Sequence, residues 1–112
     1  MSTINTFDEF QEAATKTAVY PDSAKILYPT LGLTGEAGEV ANKDKKIIRD
    51  DDCEITDERL QQISEEIGGT MWYIAALCTD LKLNLGDVCR QNIEILVRRQ
   101  ERGTLKGDGD TR

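Results

Sequence analysis

The sequence predicts an all-α fold, a four-helix bundle built from one domain. Three observations lead there: apolar residues recur at helical spacings of three and four, a capping residue precedes the apolar runs, and the only prolines, Pro21 and Pro29, fall in the first third of the 112 residues. Such stripes are stable when helices joined by short connections bury them against one another.

Helix one opens at Thr6, where Thr6-x-x-Glu9 forms a capping box, and runs through Phe7, Phe10, Ala13 and Ala14 until Pro21 closes the segment. Helix two is expected after Pro29 and continues to about Arg49, with Leu33, Ala37, Val40, Ala41 and Ile47 inward and basic residues at its C-terminal end, where cations suit the helix dipole. The acidic loop Asp50-Asp51-Asp52-Cys53-Glu54 follows; it lacks the glycine and the terminal Glu of a calcium-binding EF-hand loop. Thr56 or Asp57 caps helix three, whose stripe is Leu60, Ile63, Ile67, Ile74, Leu77 and Leu81. After a short link from Lys82, Asn84 caps helix four, with Leu85, Val88, Cys89, Ile93 and Leu96 inward. Residues 103–112 contain three Gly and no aromatic, so they read as a flexible tail behind a helical domain of residues 1–102.

Composition narrows the chemistry. The chain has no His, so Ser-His-Asp triads, Cys-His nucleophiles and His-ligated zinc are excluded. Cys53, Cys78 and Cys89 are odd in number and form no Cys-x-x-Cys pair, which argues against a disulfide framework or a thiolate zinc site. With 14 Lys plus Arg against 21 Asp plus Glu, the net charge of -7 disfavours nucleic-acid polymers and anionic membrane surfaces as partners. No run approaches the length of a membrane span, and Met1 to Phe10 carries acids where a signal peptide carries bases, so a cytoplasmic protein is expected. A chain of this length buries about two thirds of its unfolded surface. Its wide apolar faces therefore imply a homodimer or homotetramer.

The carboxylates carry the functional signal. Gly35-Glu36-Ala37-Gly38-Glu39 sets Glu36 and Glu39 on one helix face, with about 5 to 6 Å between Cβ atoms, where like charges repel. A lone pair of this kind is ordinarily a solvated face, but two glycines inside a helix cost about 1 kcal/mol each, and small residues permit close approach. Glu65 and Glu66 precede Gly68, Gly69, Trp72 and Tyr73 in the same way. If helices two and three are antiparallel neighbours, three or four carboxylates converge, and cations or raised pKa values must compensate them. Oxygen-only donors select Mg²⁺ or Mn²⁺. Lys43, Lys45 and Lys46 read either as phosphate ligands or as a C-terminal charge cluster. Asn92 falls on the inner stripe, where a buried amide needs a partner. Trp72 is a base-stacking candidate, although an aromatic beside Ile74 and Leu77 is more often core.

Leu33-Thr34-Gly35-Glu36-Ala37-Gly38-Glu39-Val40, then Glu66-Ile67-Gly68 leading to Trp72-Tyr73, then Asn92-Ile93-Glu94 and Arg102-Gly103-Thr104-Leu105-Lys106-Gly107 together resemble the MazG-like branch of the all-α nucleoside triphosphate pyrophosphohydrolases. The resemblance spans roughly residues 5 to 112. It implies a MazG/dUTPase-type oligomeric fold and hydrolysis of a nucleoside triphosphate to the monophosphate and pyrophosphate, in nucleotide-pool control. By analogy the substrate leans to purine deoxynucleotides such as dGTP or dATP. It also implies Glu36, Glu39 and Glu66 as catalytic and metal-binding residues, with Asp87, Asn92, Lys106 and Arg112 joining Lys43, Lys46 and Trp72 around the substrate, and the glycine-rich tail as a flap over the phosphates. Two positions depart from the pattern. Gly69 stands where the family's Glu-x-x-Asp motif has its Asp, and Ile95 where many relatives carry Lys. Three readings of Gly69 follow: an inactive or engineered chain, a natural member with altered metal binding, or substitution of the missing ligand by Glu65; the runner-up function is a catalytically silent nucleotide-binding or partner-binding module. Retained metal binding is favoured.

Overall fold

A computed structural model describes residues 3–110 and residue 112. The helices are α1 (Phe7–Thr15), α2 (Leu27–Asp50), α3 (Asp57–Asp80) and α4 (Leu85–Glu101), with one 3₁₀ turn at Asp22–Ala24 and no strand among the described residues. The all-α expectation therefore holds.

Local chemistry starts three of the helices as expected. The Thr6 hydroxyl accepts from the Glu9 backbone N–H at 3.1 Å, Thr56 from Arg59 at 3.1 Å, and the Asn84 carbonyl oxygen from Asp87 at 2.9 Å. Each side chain satisfies a donor that the first turn leaves without a partner. Two boundaries differ from the expectation. α1 stops at Thr15, well before Pro21, because the Thr17 backbone N–H turns back to Ala14 O at 3.0 Å and the Thr17 hydroxyl donates to the same oxygen at 2.9 Å. α2 begins at Leu27, with Pro29 buried inside its first turn, where the N–H that proline lacks would have no helical partner anyway.

The residue before α2, Ile26, has φ 71°, a left-handed conformation that a β-branched side chain adopts only under constraint. Asp80, at the end of α3, supplies that constraint: its Oδ2 accepts from the Ile26 N–H at 2.9 Å and from the Tyr20 hydroxyl at 2.8 Å. Burial and then the Asp80 carboxylate push the Tyr20 phenol up to about 12.

α2 and α3 form an antiparallel pair. Gly32 lies against the Tyr73 ring, Lys43 reaches Glu66 at 3.9 Å, and at the connecting loop Arg59 Nε donates to Asp51 Oδ2 at 2.8 Å. Across Gly32 the helices approach so closely that a Cβ would overlap that ring. α1 packs on α3, and α4 rests on α1. Two side chains of α1 cap α4 from outside: Asp8 Oδ1 accepts from Gly86 N–H at 3.0 Å and Gln11 Oε1 from Leu85 N–H at 2.8 Å.

The core is small. Ala14, Ala75, Cys78 and Leu85 are buried together, with Phe10, Trp72, Ile74, Val88 and Cys89 packed around them. The radius of gyration is 17.1 Å, against about 13 Å for a compact domain of this size. The helices thus form an open arrangement instead of a closed four-helix bundle. A groove of about 880 Å³ opens between α1, α3 and α4, with Phe7 and Ile93 on its walls, each half exposed or more. Cys53, Cys78 and Cys89 are all free thiols, and burial raises the Cys78 pKa. No helix among the described residues is long and apolar enough to cross a membrane.

Candidate functional site

The antiparallel register of α2 and α3 brings Glu36 and Glu66 together. The Glu36 pKa is raised, first by side-chain hydrogen bonding with Glu66, then by desolvation and by the charges of Glu66 and Glu39. Two carboxylates in contact share a proton or need a cation between them. Gly69 makes the contact possible. A Cβ there would stand 2.9 Å from Glu36 Oε2 and 3.0 Å from its Cδ, so the glycine leaves the volume that the Glu36 carboxylate occupies.

Lys43 is the cation that the chain itself provides. Its Nζ lies 3.8 Å from Glu39 Oε2, one turn back on α2, and 3.9 Å from Glu66 Oε1 on α3. Its side chain is 17% exposed and that of Glu66 22%, so this ion pair is better shielded from water than an ordinary surface bridge, whereas Glu39 is 51% exposed. The sequence leaves Lys43 open as a phosphate ligand or as part of a C-terminal charge cluster; in the structure its partners are the carboxylates of Glu39 and Glu66.

The remaining expectations divide. Glu65 does not join the pair: it is exposed, and its Oε1 accepts from Gln61 Nε2 at 3.2 Å along its own helix. Lys46 is half-buried and lies near enough to Asp50 to lower that carboxyl. Asp87 is exposed and accepts from Arg90 Nη1 at 2.6 Å, as a first-turn residue of α4. Asn92 is exposed, which corrects its assignment to an inner stripe: α4 is covered by α1 near its start, and the face that carries Asn92 and Ile93 stays open. Gly35 and Gly38 likewise have no neighbour within 4 Å of a Cβ position, so no close approach occurs there within the chain.

Trp72 is half-buried against the core, and its Nε1 donates to the Thr17 hydroxyl at 2.7 Å. The tail folds back toward the end of α4. Arg99 Nη2 donates to Asp110 O at 2.7 Å, Arg102 Nη2 to Arg112 O at 2.8 Å, and the Arg112 guanidinium turns back to Gly109 O, while Lys106 stays exposed. These bonds tie the tail to the end of α4. Thr111 lies outside the described residues.

Tyr20 and Tyr28 carry no signal in the sequence, yet they gather with Tyr73 beside Trp72. The Tyr20 and Tyr28 rings stack at 4.7 Å, Tyr28 and Tyr73 lie 6.2 Å apart, and Trp72 meets Tyr73 edge-on at 5.0 Å. No sequence spacing signals this cluster, because its members come from a connecting segment and two different helices.

Whether a hard divalent cation suits the site is decided by its donors. Glu36 and Glu66 are oxygen donors already forced together, which fits such an ion in kind. The described residues contain no group of three or more His, Cys, Asp or Glu side chains placed to hold a metal. Glu39 and Glu66 are linked through Lys43, which reaches both.

No family model matches the sequence, and no solved structure matches it. The chain is 46% identical over 111 residues to the gene 37 protein of Mycobacterium phage L5, an alignment covering 94% of this chain and 97% of that protein. The chain belongs to the family of that phage protein.

Proposed function

We propose that the protein is a MazG-like nucleoside triphosphate pyrophosphohydrolase, dependent on Mg²⁺ or Mn²⁺, that acts on a purine deoxynucleotide such as dGTP or dATP in nucleotide-pool control. The observation that supports it is the meeting of Glu36 and Glu66 beside Gly69, where two acids face each other and, among the described residues, Lys43 is the cation paired with them. Structural carboxylates are ordinarily paired with cations; a pair facing itself suits a site whose counter-charge arrives with the ligand. Glu36 and Glu66 would hold the cation, with Glu39 next to them. When bound, that cation would supply charge compensation for the triphosphate and activation of water. Lys43, released from Glu39 and Glu66, would be free to contact phosphate oxygens. The relative is encoded by a phage, so the compartment in this reading is the host cytoplasm.

The same reading includes a homodimer or homotetramer. The open groove, the half-exposed Phe7, Ile67 and Ile93, and the large radius of gyration leave apolar surface that a second copy would cover. A neighbouring chain would also bring cations to a site that has few, which suits Lys106 and Arg112 of the tail better than contact within one chain. Gly69 favours one other reading, a silent nucleotide-binding or partner-binding module, since it removes a carboxylate from the centre.

Incubation with a panel of ribo- and deoxynucleoside triphosphates plus Mg²⁺ or Mn²⁺, with separate detection of pyrophosphate and orthophosphate, tests the proposal. Release of pyrophosphate is expected. Orthophosphate with a diphosphate product contradicts the reaction, and no turnover of any triphosphate favours the silent module. Light scattering should give at least twice 12.5 kDa; a monomer at micromolar concentration refutes the oligomer.

A further inference from the structure

The cysteines take no part in the site between α2 and α3, and two of them come together elsewhere. Cys78 stands two residues before the end of α3 and Cys89 four residues into α4. The link between the two helices is short and fixed: the Leu83 N–H donates to Cys78 O at 2.8 Å, the Asn84 side chain caps α4, and Gln11 holds the Leu85 N–H. Cys89 lies one turn past Leu85 and therefore on the same face of α4. Leu85, 1% exposed, is buried in one cluster with Cys78, and Cys89 packs against that cluster. The Cys89 thiol is near enough to add to the burial that pushes the Cys78 pKa up. Two thiols from different helices thus share one corner of the core.

Their access to solvent differs. Cys78 is 6% exposed, whereas Cys89 is half-buried and lines the groove of about 880 Å³ between α1, α3 and α4. Gly68 and Gly86 line the same groove and bring no side chain that would screen a small reagent from Cys89. Cys53 is exposed in the α2–α3 loop, at the other end of a 24-residue helix about 36 Å long, so it cannot reach this pair within the chain. We propose that Cys78 and Cys89 form a redox-modification site, at which hydrogen peroxide entering the groove oxidises Cys89 and Cys78 resolves the product to a disulfide between α3 and α4. The Cys89 thiolate attacks one peroxide oxygen, the O–O bond breaks, and a sulfenic acid and one water result; the Cys78 sulfur then attacks Cys89 Sγ, the S–O bond breaks, and a second water leaves. Two thiols lose two hydrogens, and one peroxide is reduced to two waters. Burial keeps Cys78 from the oxidant, which suits it to the second step. A thiol reductant reverses the bond by exchange. In the reduced protein α4 rests chiefly on α1, so the disulfide adds a tie to α3 and fixes one wall of the groove. The site needs neither nucleotide nor metal.

The experiment uses the full chain carrying Cys53→Gly, a change that suits the φ of 63° at that position and removes the exposed thiol. Hydrogen peroxide should lower the mass of this protein by two hydrogens, block alkylation of both remaining cysteines after unfolding, and give no covalent dimer on a non-reducing gel. Dithiothreitol should restore both thiols. Trypsin cuts after Arg59, Lys82 and Arg90, so the oxidised protein should yield residues 60–82 joined to residues 83–90, a species absent after reduction. With Cys78→Ala added, the linked peptides should disappear and dimedone should capture Cys89 as the sulfenic acid. Oxygen added to Cys89 while Cys78 stays open to alkylation, covalent dimers in place of the linked peptides, or no thiol loss at a peroxide concentration that oxidises Cys53 in the wild-type chain would each overturn the proposal.

Discussion

Two acidic clusters in this chain are treated in opposite ways. At the α2–α3 loop, Asp50 accepts from the Arg49 guanidinium at 2.7 Å and Asp51 from Arg59 Nε at 2.8 Å, and the hydrogen bond from Arg49 holds the Asp50 carboxyl below its ordinary range. Between the helices, Glu36 and Glu66 face each other, and the Glu36 pKa moves up. The loop has the denser run of negative charge in sequence, yet its first two acids have guanidinium partners. Acid density alone is therefore a poor guide to a site, whereas an acid facing another acid marks a place where charge remains to be compensated.

The largest expected effect separates the clusters by chemistry. Glu36→Gln and Glu39→Gln keep size and remove charge, so each should lower metal-dependent turnover by roughly 100-fold or more while leaving the helical circular dichroism intact. Asp51→Asn should leave turnover near wild type. Wild-type turnover by Glu36→Gln at saturating metal would show that the acidic pair is not the site.

Gly69→Asp sharpens the contrast by adding a third carboxylate beside Glu36. Its side chain must share the volume that the Glu36 carboxylate occupies, and the flexible end of Glu36 can give way. Without divalent cation the variant should melt below wild type, because like charges are crowded together. With millimolar Mg²⁺ it should melt above wild type, since each added hard ligand strengthens the hold on the ion. An unchanged difference between the two conditions would mean that no cation binds there.

The pH dependences should have opposite signs. Glu36 has a folded pKa above its ordinary 4.5, so the stability from its protonated form is complete below 4.5 and is lost as pH rises through the raised value. Glu36→Gln should accordingly be stabilised relative to wild type at neutral pH, with the advantage shrinking toward pH 4.5. Asp50 has a lowered pKa, so its contribution is present above 3.8 and lost as pH falls through the lowered value. Thermal melts of metal-free Glu36→Gln and wild type across this range read the sign directly, and a pH-independent difference would break the comparison.

The smallest effect belongs to the loop. Arg59 also donates to Gln62 at 3.0 Å, and its side chain is 18% exposed against 20% for Asp51. Asp51→Asn should cost about 1 kcal/mol in urea unfolding, the upper range for such a pair near the surface. A loss as large as that of a core truncation would show that the loop carries more of the fold than its position suggests.

The sequence by itself determined what depends on neighbours three or four residues away. The caps at Thr6, Thr56 and Asn84, the helical periods and the placement of Glu36 and Glu39 on one face all follow from local hydrogen bonds and the helical repeat. Tertiary structure decided whatever depends on which helix covers which. Antiparallel pairing was expected conditionally, but the register that sets Glu66 against Glu36 and turns Glu65 to Gln61 comes from contacts such as Gly32 with Tyr73 and Arg59 with Asp51. Asn92 and Ile93 looked inward because helical periodicity says only that a face is apolar. In this open arrangement that face stays exposed at the edge of the groove. The aromatic cluster was invisible for the same reason: Tyr20 and Tyr28 meet Trp72 and Tyr73 only because Asp80 draws Ile26 and Tyr20 to the end of α3. Local free energies select helices and caps, while burial of surface between elements distant in sequence selects their neighbours.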